Sequence, residues 1–135
     1  MPTVAFLCVA NSARSQMAEG LARADAPPGW TFHSAGSRPG RLNPLAVEAL
    51  KEVGIDISTH RAKGLDDVPL GAADVIVTLC AEEECPYVPG PARRLAWPLP
   101  DPAATDGSPD ARLAAFRAVR DEIRKRLATL WASAR

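Results

Sequence analysis

Two rhythms of apolar positions run through the chain. Thr3-Val4-Ala5-Phe6-Leu7, Thr31 to Gly36, Asp74 to Cys80 and Arg94-Leu95-Ala96-Trp97 are short runs bounded by polar, Gly or Pro residues. Their length suits strands, and the first and third carry the continuous apolar character of strands buried on both faces. Between and after them the spacing changes to three or four. Met17, Ala18, Leu21 and Ala22 mark one face of a helix that must end by Pro27-Pro28-Gly29. A second helix is expected with Asn43 as its N-cap, Pro44 in its first turn and Gly54 just past its end. Leu113, Phe116, Val119, Ile123, Leu127 and Leu130 form the stripe of a long closing helix that starts at Ser108 and Pro109, with Arg112, Arg117, Arg124 and Arg126 off the stripe.

Alternating strands and helices predict an α/β domain with a four-stranded parallel sheet and helices on both faces, spanning residues 1–135 without repeat or linker. Such sheets bind ligands outside the carboxyl ends of their strands, and Cys8, Cys80 and Asp101 all fall there. Residues 81–91 are polar and proline-bearing and are expected as a surface loop. Trp97 and Trp131 are expected in the core and Trp30 at the surface; His33 and His60 carry no spacing that demands catalysis and are read as structural.

Composition narrows the function. Sixteen basic residues balance sixteen acidic ones, so there is no field to recruit nucleic acid or an anionic membrane. No apolar run approaches a membrane span, and Met1-Pro2-Thr3-Val4 lacks a charged leader region with a small-residue cleavage site, so a cytoplasmic protein is expected, and a monomer. Three cysteines cannot form a disulfide framework and point to reactive or metal-binding thiols.

The strongest local signal is Cys8-Val9-Ala10-Asn11-Ser12-Ala13-Arg14-Ser15, between a strand and a helix N-terminus. A loop wrapped around a point, with N–H groups inward and a helix start behind it, cradles an oxyanion. The same positive potential favours a thiolate at Cys8, poised to attack the anion's central atom. Arg14 would clamp two of the anion's oxygens through its planar fork, and Ser15 would donate a hydrogen bond to the thiolate. The bland alternative makes Cys8 a buried small hydrophobe and Arg14 a solvated helix-start residue.

The chain resembles the low-molecular-weight tyrosine phosphatase superfamily and, within it, the thioredoxin-coupled arsenate reductases. The resemblance rests on the Cys-x5-Arg-Ser loop at residues 8–15, His33-Ser34-Ala35-Gly36, Thr78-Leu79-Cys80, Cys85-Pro86 and Asp101-Pro102. It implies a flavodoxin-like three-layer sandwich of the phosphatase-I type, with Cys8 as nucleophile, Val9 to Ser15 as the oxyanion loop, Arg14 as its clamp and Asp101 as general acid. It further implies a relay in which Cys80 attacks the Cys8 adduct and releases arsenite, and Cys85 then resolves the Cys8–Cys80 disulfide. By the same resemblance, thioredoxin is the expected reductant of the resulting Cys80–Cys85 disulfide. No tightly bound cofactor is implied; some relatives bind a potassium ion near the pocket, and Asn11, Glu19 and Ser34 fall at the matching places, where Asn11 shaping the loop and Ser34 bracing it is the alternative reading.

Other readings of these residues stay open. Pro100-Asp101-Pro102 is also an ordinary rigid turn, Cys80 is also a core residue, and Cys85 an exposed orphan. A zinc site is disfavoured because only His33 and His60 are available to complete it. The alternatives in function are a low-molecular-weight phosphatase and a phosphocarrier module, the second needing neither an acid nor a resolving dithiol. Ala10 stands where many relatives have Gly, which would strain a positive φ there. The segment after Asp101-Pro102 lacks the aromatic residues of phosphotyrosine phosphatases, favouring a small inorganic oxyanion.

Overall fold

The four apolar runs form one parallel sheet in the computed structural model, which describes residues 2–81 and 86–133. The elements follow as β1 (Thr3–Cys8), α1 (Arg14–Asp25), β2 (Thr31–Gly36), α2 (Pro44–Lys51), β3 (Val75–Thr78), β4 (Arg93–Ala96) and α3 (Pro109–Ser133). The sheet order is β2-β1-β3-β4, so the strand that ends in Cys8 is interior. Cys8 pairs in register with Gly36, and Leu7 with Thr78. The ladder runs on past the strand ends, because the N–H of Leu79 donates to Leu7 and that of Leu99 to Leu79, at 2.9 and 3.3 Å. Cys80 and Asp101, one and two residues further on, are thereby delivered to the end of the sheet that carries Cys8.

Local chemistry fixes the helix ends as expected. Asn43 Oδ1 accepts from Leu45 N–H at 2.9 Å, Pro44 occupies the first turn of α2, and Gly54 takes a φ of 82° that a side chain would resist. Ser108 Oγ accepts from Ala111 N–H at the start of α3.

The three α-helices pack together on one face, burying Val4, Phe6, Phe32 and Val77 of the sheet against Met17, Leu21, Leu50, Phe116, Ile123 and Leu127. The other face, Ala5, Leu7, Ala35 and Ile76, is covered by 3₁₀ turns at Leu65–Asp67 and Leu70–Ala72 together with Val88 and Ala92. The second layer is thus built of short turns instead of long helices, and part of the segment expected as a surface loop closes a core. Trp30, expected at the surface, is half-buried, with its ring centroid 4.8 Å from that of Trp131 and 6.3 Å from that of Phe32.

Arginines fasten α3 in place. Arg120, nearly buried, donates to Ala49 O and Glu52 at 2.8 and 2.9 Å, Arg117 grips Glu52 with two nitrogens, and Arg124 holds Asp25 bidentately. The Arg117 hydrogen bonds, with Arg120 behind them, hold the Glu52 carboxyl down to about 2. The Arg117–Glu52 and Arg124–Asp25 pairs are partly exposed, screened by water, and set the helix's position more than its stability.

Candidate active site

The loop after β1 is turned so that its carbonyls face outward. Val9 O accepts from Arg38 N–H, Ala10 O from Gly40 N–H and Ser12 O from Asn43 N–H, each at 2.9 Å. With these carbonyls tied to the segment after β2, the opposite side of the loop is left to present N–H groups to an anion. Val9, Ala10, Ser12, Ala13 and Arg14 line a cavity of about 180 Å³ with Cys8 at its floor and Asp101 in its wall. The close approach depends on Gly36, where a Cβ would lie 2.3 Å from Val9 O and 2.9 Å from Asn11 N. Gly36→Ala is therefore expected to cost about 2–3 kcal/mol of stability and to abolish oxyanion binding; an unchanged urea midpoint would remove the close approach from the account.

The sulfur sits at the end of a hydrogen-bond chain whose direction is set by its far members. Gln16 is fully buried, and its Nε2 donates to Arg61 O at 2.7 Å and Asn11 Oδ1 at 3.0 Å. Its Oε1 must then accept from His60 Nδ1, 3.1 Å away. Burial, with Lys63 and Arg23 against it, holds His60 below its ordinary value and so neutral, with the proton on Nδ1. Asn11 Oδ1 is further occupied by Lys63 N–H at 2.8 Å, so its Nδ2 faces Ser15 Oγ at 2.7 Å. The Ser15 hydroxyl, its oxygen accepting from Asn11, lies 2.8 Å from Cys8 Sγ, where it can give its proton to the sulfur once the sulfur is ionised. Asn11 N–H also points to Sγ, at 3.3 Å. The sulfur is thus flanked by a backbone N–H and a hydroxyl, the two groups that can hold it as it attacks.

Arg14 is 5% exposed, and its Nη1 donates to Leu79 O at 3.3 Å and Leu99 O at 3.0 Å. One guanidinium therefore joins the oxyanion loop to the segments that carry Cys80 and Asp101. Asp101 forms the rigid turn, its Oδ1 capping the 3₁₀ helix Pro102–Ala104 by accepting from Ala103 N–H, and the residue also lines the cavity. Cys80 is 8% exposed, just beyond β3.

Residues 3–135 match the low molecular weight phosphotyrosine protein phosphatase family. The chain belongs to this family. An arsenate reductase of Halalkalibacterium halodurans is 45% identical over 126 residues, 92% of this chain and 91% of its own. The solved arsenate reductase of Archaeoglobus fulgidus has a TM-score of 0.82 at 32% identity, over 96% of this chain and 98% of its own. A thioredoxin-dependent arsenate reductase of Corynebacterium glutamicum gives 0.75 at 34% identity, over 98% of this chain and 61% of its own.

Within this phosphatase-family framework, Cys8, Arg14 and Asp101 meet at one cavity and Cys80 lies at the same end of the sheet, while Cys85 lies outside the described residues. Asn11 and Ser15, expected among the anion contacts, do not line the cavity: both are fully buried and their side chains serve the sulfur from behind. Among the described residues the strained position is Asn11, at φ 51°, and not Ala10; asparagine tolerates that region best among residues with a side chain.

The residues expected around a potassium ion carry a cation already. Lys63 Nζ lies 3.2 Å from both Glu19 Oε1 and Ser34 Oγ, and the Ser34 hydroxyl itself donates to Glu19. Burial works to raise the Glu19 carboxyl, but Ser34, Lys63 and Arg23 outweigh it and hold the group below its ordinary value, ionised. A potassium ion placed there would meet the ammonium, so this donor set does not fit one. Gln16 and Lys63 were not singled out from the sequence. The available signal was the polar Gln16 on the Met17–Ala18 side of α1, next to the helix start that carries the loop.

Proposed function

We propose that this protein reduces arsenate to arsenite with electrons supplied by thioredoxin. The observation that carries the proposal is the single cavity formed by Cys8, the oxyanion loop, Arg14 and Asp101, with Cys80 at the neighbouring strand end. In the proposed sequence Cys8 Sγ attacks arsenic, Arg14 and the loop N–H groups hold the remaining oxygens, and Asp101 protonates the oxygen that leaves as water. Cys80 sulfur then attacks Cys8 sulfur. As that S–S bond forms, the S–As bond breaks and its electron pair stays on arsenic, which departs as arsenite. Cys85 displaces Cys8 from Cys80, and the dithiol of thioredoxin reduces the Cys80–Cys85 disulfide. The net change consumes two electrons and two protons and yields arsenite and water.

The proposed setting is a cytoplasmic monomer, and among the described residues no helix is long and apolar enough to cross a membrane. The cradle suits phosphate esters as well, and the family's phosphatase members make side phosphatase activity the second reading.

The deciding assay is NADPH consumption with arsenate, thioredoxin and thioredoxin reductase. Cys80→Ser and Cys85→Ser are each expected to reduce turnover to background while aryl phosphate hydrolysis persists. A folded Cys85→Ser protein lacking both activities would refute the relay. A parent protein without turnover but with robust aryl phosphate hydrolysis would make it a phosphatase.

A further inference from the structure

The group behind the oxyanion loop is built as a cation site and filled from within. Glu19 and Ser34 are buried, with the Glu19 side chain 6% exposed. A carboxylate so placed requires a positive partner. Arg23 reaches Glu19 Oε2 at 3.0 Å, but its side chain is 53% exposed and it leaves Oε1 to others. Oε1 is served by Ser34 and by Lys63, whose side chain is 16% exposed. The Lys63 ammonium has three protons and three oxygens near it, Glu19 Oε1, Ser34 Oγ and Arg61 O, at 3.2, 3.2 and 3.5 Å.

The main chain of the same residue is tied to the catalytic loop. Lys63 N–H donates to Asn11 Oδ1, and Lys63 O accepts from the N–H of Gly36, the residue beside Cys8 in the sheet. Asn11 is the loop residue in the left-handed region and the member of the hydrogen-bond chain that turns Ser15 toward sulfur. Residue 63 therefore fixes the loop with its backbone while its side chain neutralises the charge buried behind it.

We infer that Lys63 is a tethered cation: its ammonium holds Glu19 and Ser34 in the arrangement a bound monovalent ion would impose, and this protein needs no such ion. A charge carried on the chain has no translational freedom to lose on binding, so the site is filled at any salt concentration. Removing only the side chain leaves the Asn11 bond intact and opens a small space walled by a carboxylate, a hydroxyl and a carbonyl. One negative charge among hard oxygen donors suits a large monovalent cation. Lys63→Ala thus converts the tethered arrangement into an ion site. The inference stands apart from the reductase reading, since its test involves neither arsenate nor thioredoxin.

The experiment compares the parent and Lys63→Ala by equilibrium dialysis with rubidium-86, and by thermal midpoint in potassium chloride against choline chloride at equal ionic strength. The parent is expected to bind no rubidium and to melt alike in both salts. Lys63→Ala is expected to melt about 5 °C or more lower in choline, to bind rubidium, and to recover part of the loss in potassium. Iodoacetamide labelling of the Cys8 peptide at neutral pH should slow in choline and recover in potassium. Lys63→Met, whose stem still fills the space, should lose stability equally in both salts, and it replaces the alanine variant if that protein does not fold. Rubidium binding to the parent, potassium-specific stabilisation of the parent, or parent-like stability of both variants would each overturn the inference. So would a folded Lys63→Ala that ignores potassium, or a Cys8 labelling rate that follows neither change.

Discussion

Cys8→Ser is expected to lower both arsenate reduction and aryl phosphate hydrolysis by about 10⁴-fold or more, as loss of a covalent nucleophile does. The substitution is nearly isosteric at a residue 2% exposed, so the fold and the outward-facing carbonyls of the loop persist. The hydroxyl inherits the two hydrogens from Asn11 and Ser15 but does not ionise near neutral pH as a thiol can. Phosphate binding, followed by calorimetry, should survive because the loop N–H groups and Arg14 remain. A serine variant retaining more than about 1% of either activity would place the nucleophile elsewhere.

Arg14→Lys should have the next largest effect, and a double one. The guanidinium holds Leu79 O and Leu99 O through Nη1 and also lines the cavity beside Cys8. A lysine ammonium cannot span both carbonyls and present a planar fork as well. kcat/KM is expected to fall about 10²–10³-fold, the range for losing one preorganised donor to a developing charge. Stability should fall by about 1–3 kcal/mol as buried carbonyls lose a charged partner. Urea denaturation and steady-state kinetics on one preparation separate the two roles. Lost activity at parental stability would mean that the arginine does not hold the strand-end segments together; lost stability at parental activity would mean that it does not bind the anion.

The sequence carried the supersecondary frame because the relevant signals are local. β1 and β3 are continuous apolar runs, and α2 announces itself through Asn43 and Gly54. β4 is shifted by one residue, Arg93 to Ala96, because pairing with Val75 sets its start, although Trp97 N–H still reaches Thr78 O. The cover of the second sheet face leaves no periodic signal in the sequence: Leu65, Val68 and Leu70 are too few and too closely spaced to show one. At the site, Cys8 and Arg14 were readable from six positions of spacing and a strand-to-helix junction. Gln16 and Lys63 were not, since most of their partners lie 29 to 52 residues away and a single glutamine or lysine has no pattern of its own. Asp101 was ambiguous because capping a turn and facing the anion place the same demands on the backbone.

The sheet order has a mechanical consequence. Local opening of a sheet starts where backbone groups lack a neighbour, and β4 is an edge whose residues are mostly exposed, whereas β1 is hydrogen-bonded on both sides and almost fully buried. Fluctuations that loosen the outer strands therefore die out before they reach the central one. The edge strand β4 can open at a free-energy cost below that of global unfolding, while the sulfur at the end of β1 keeps its alignment. The order β2-β1-β3-β4 thus keeps the strand that carries the nucleophile away from the edges where the sheet opens first.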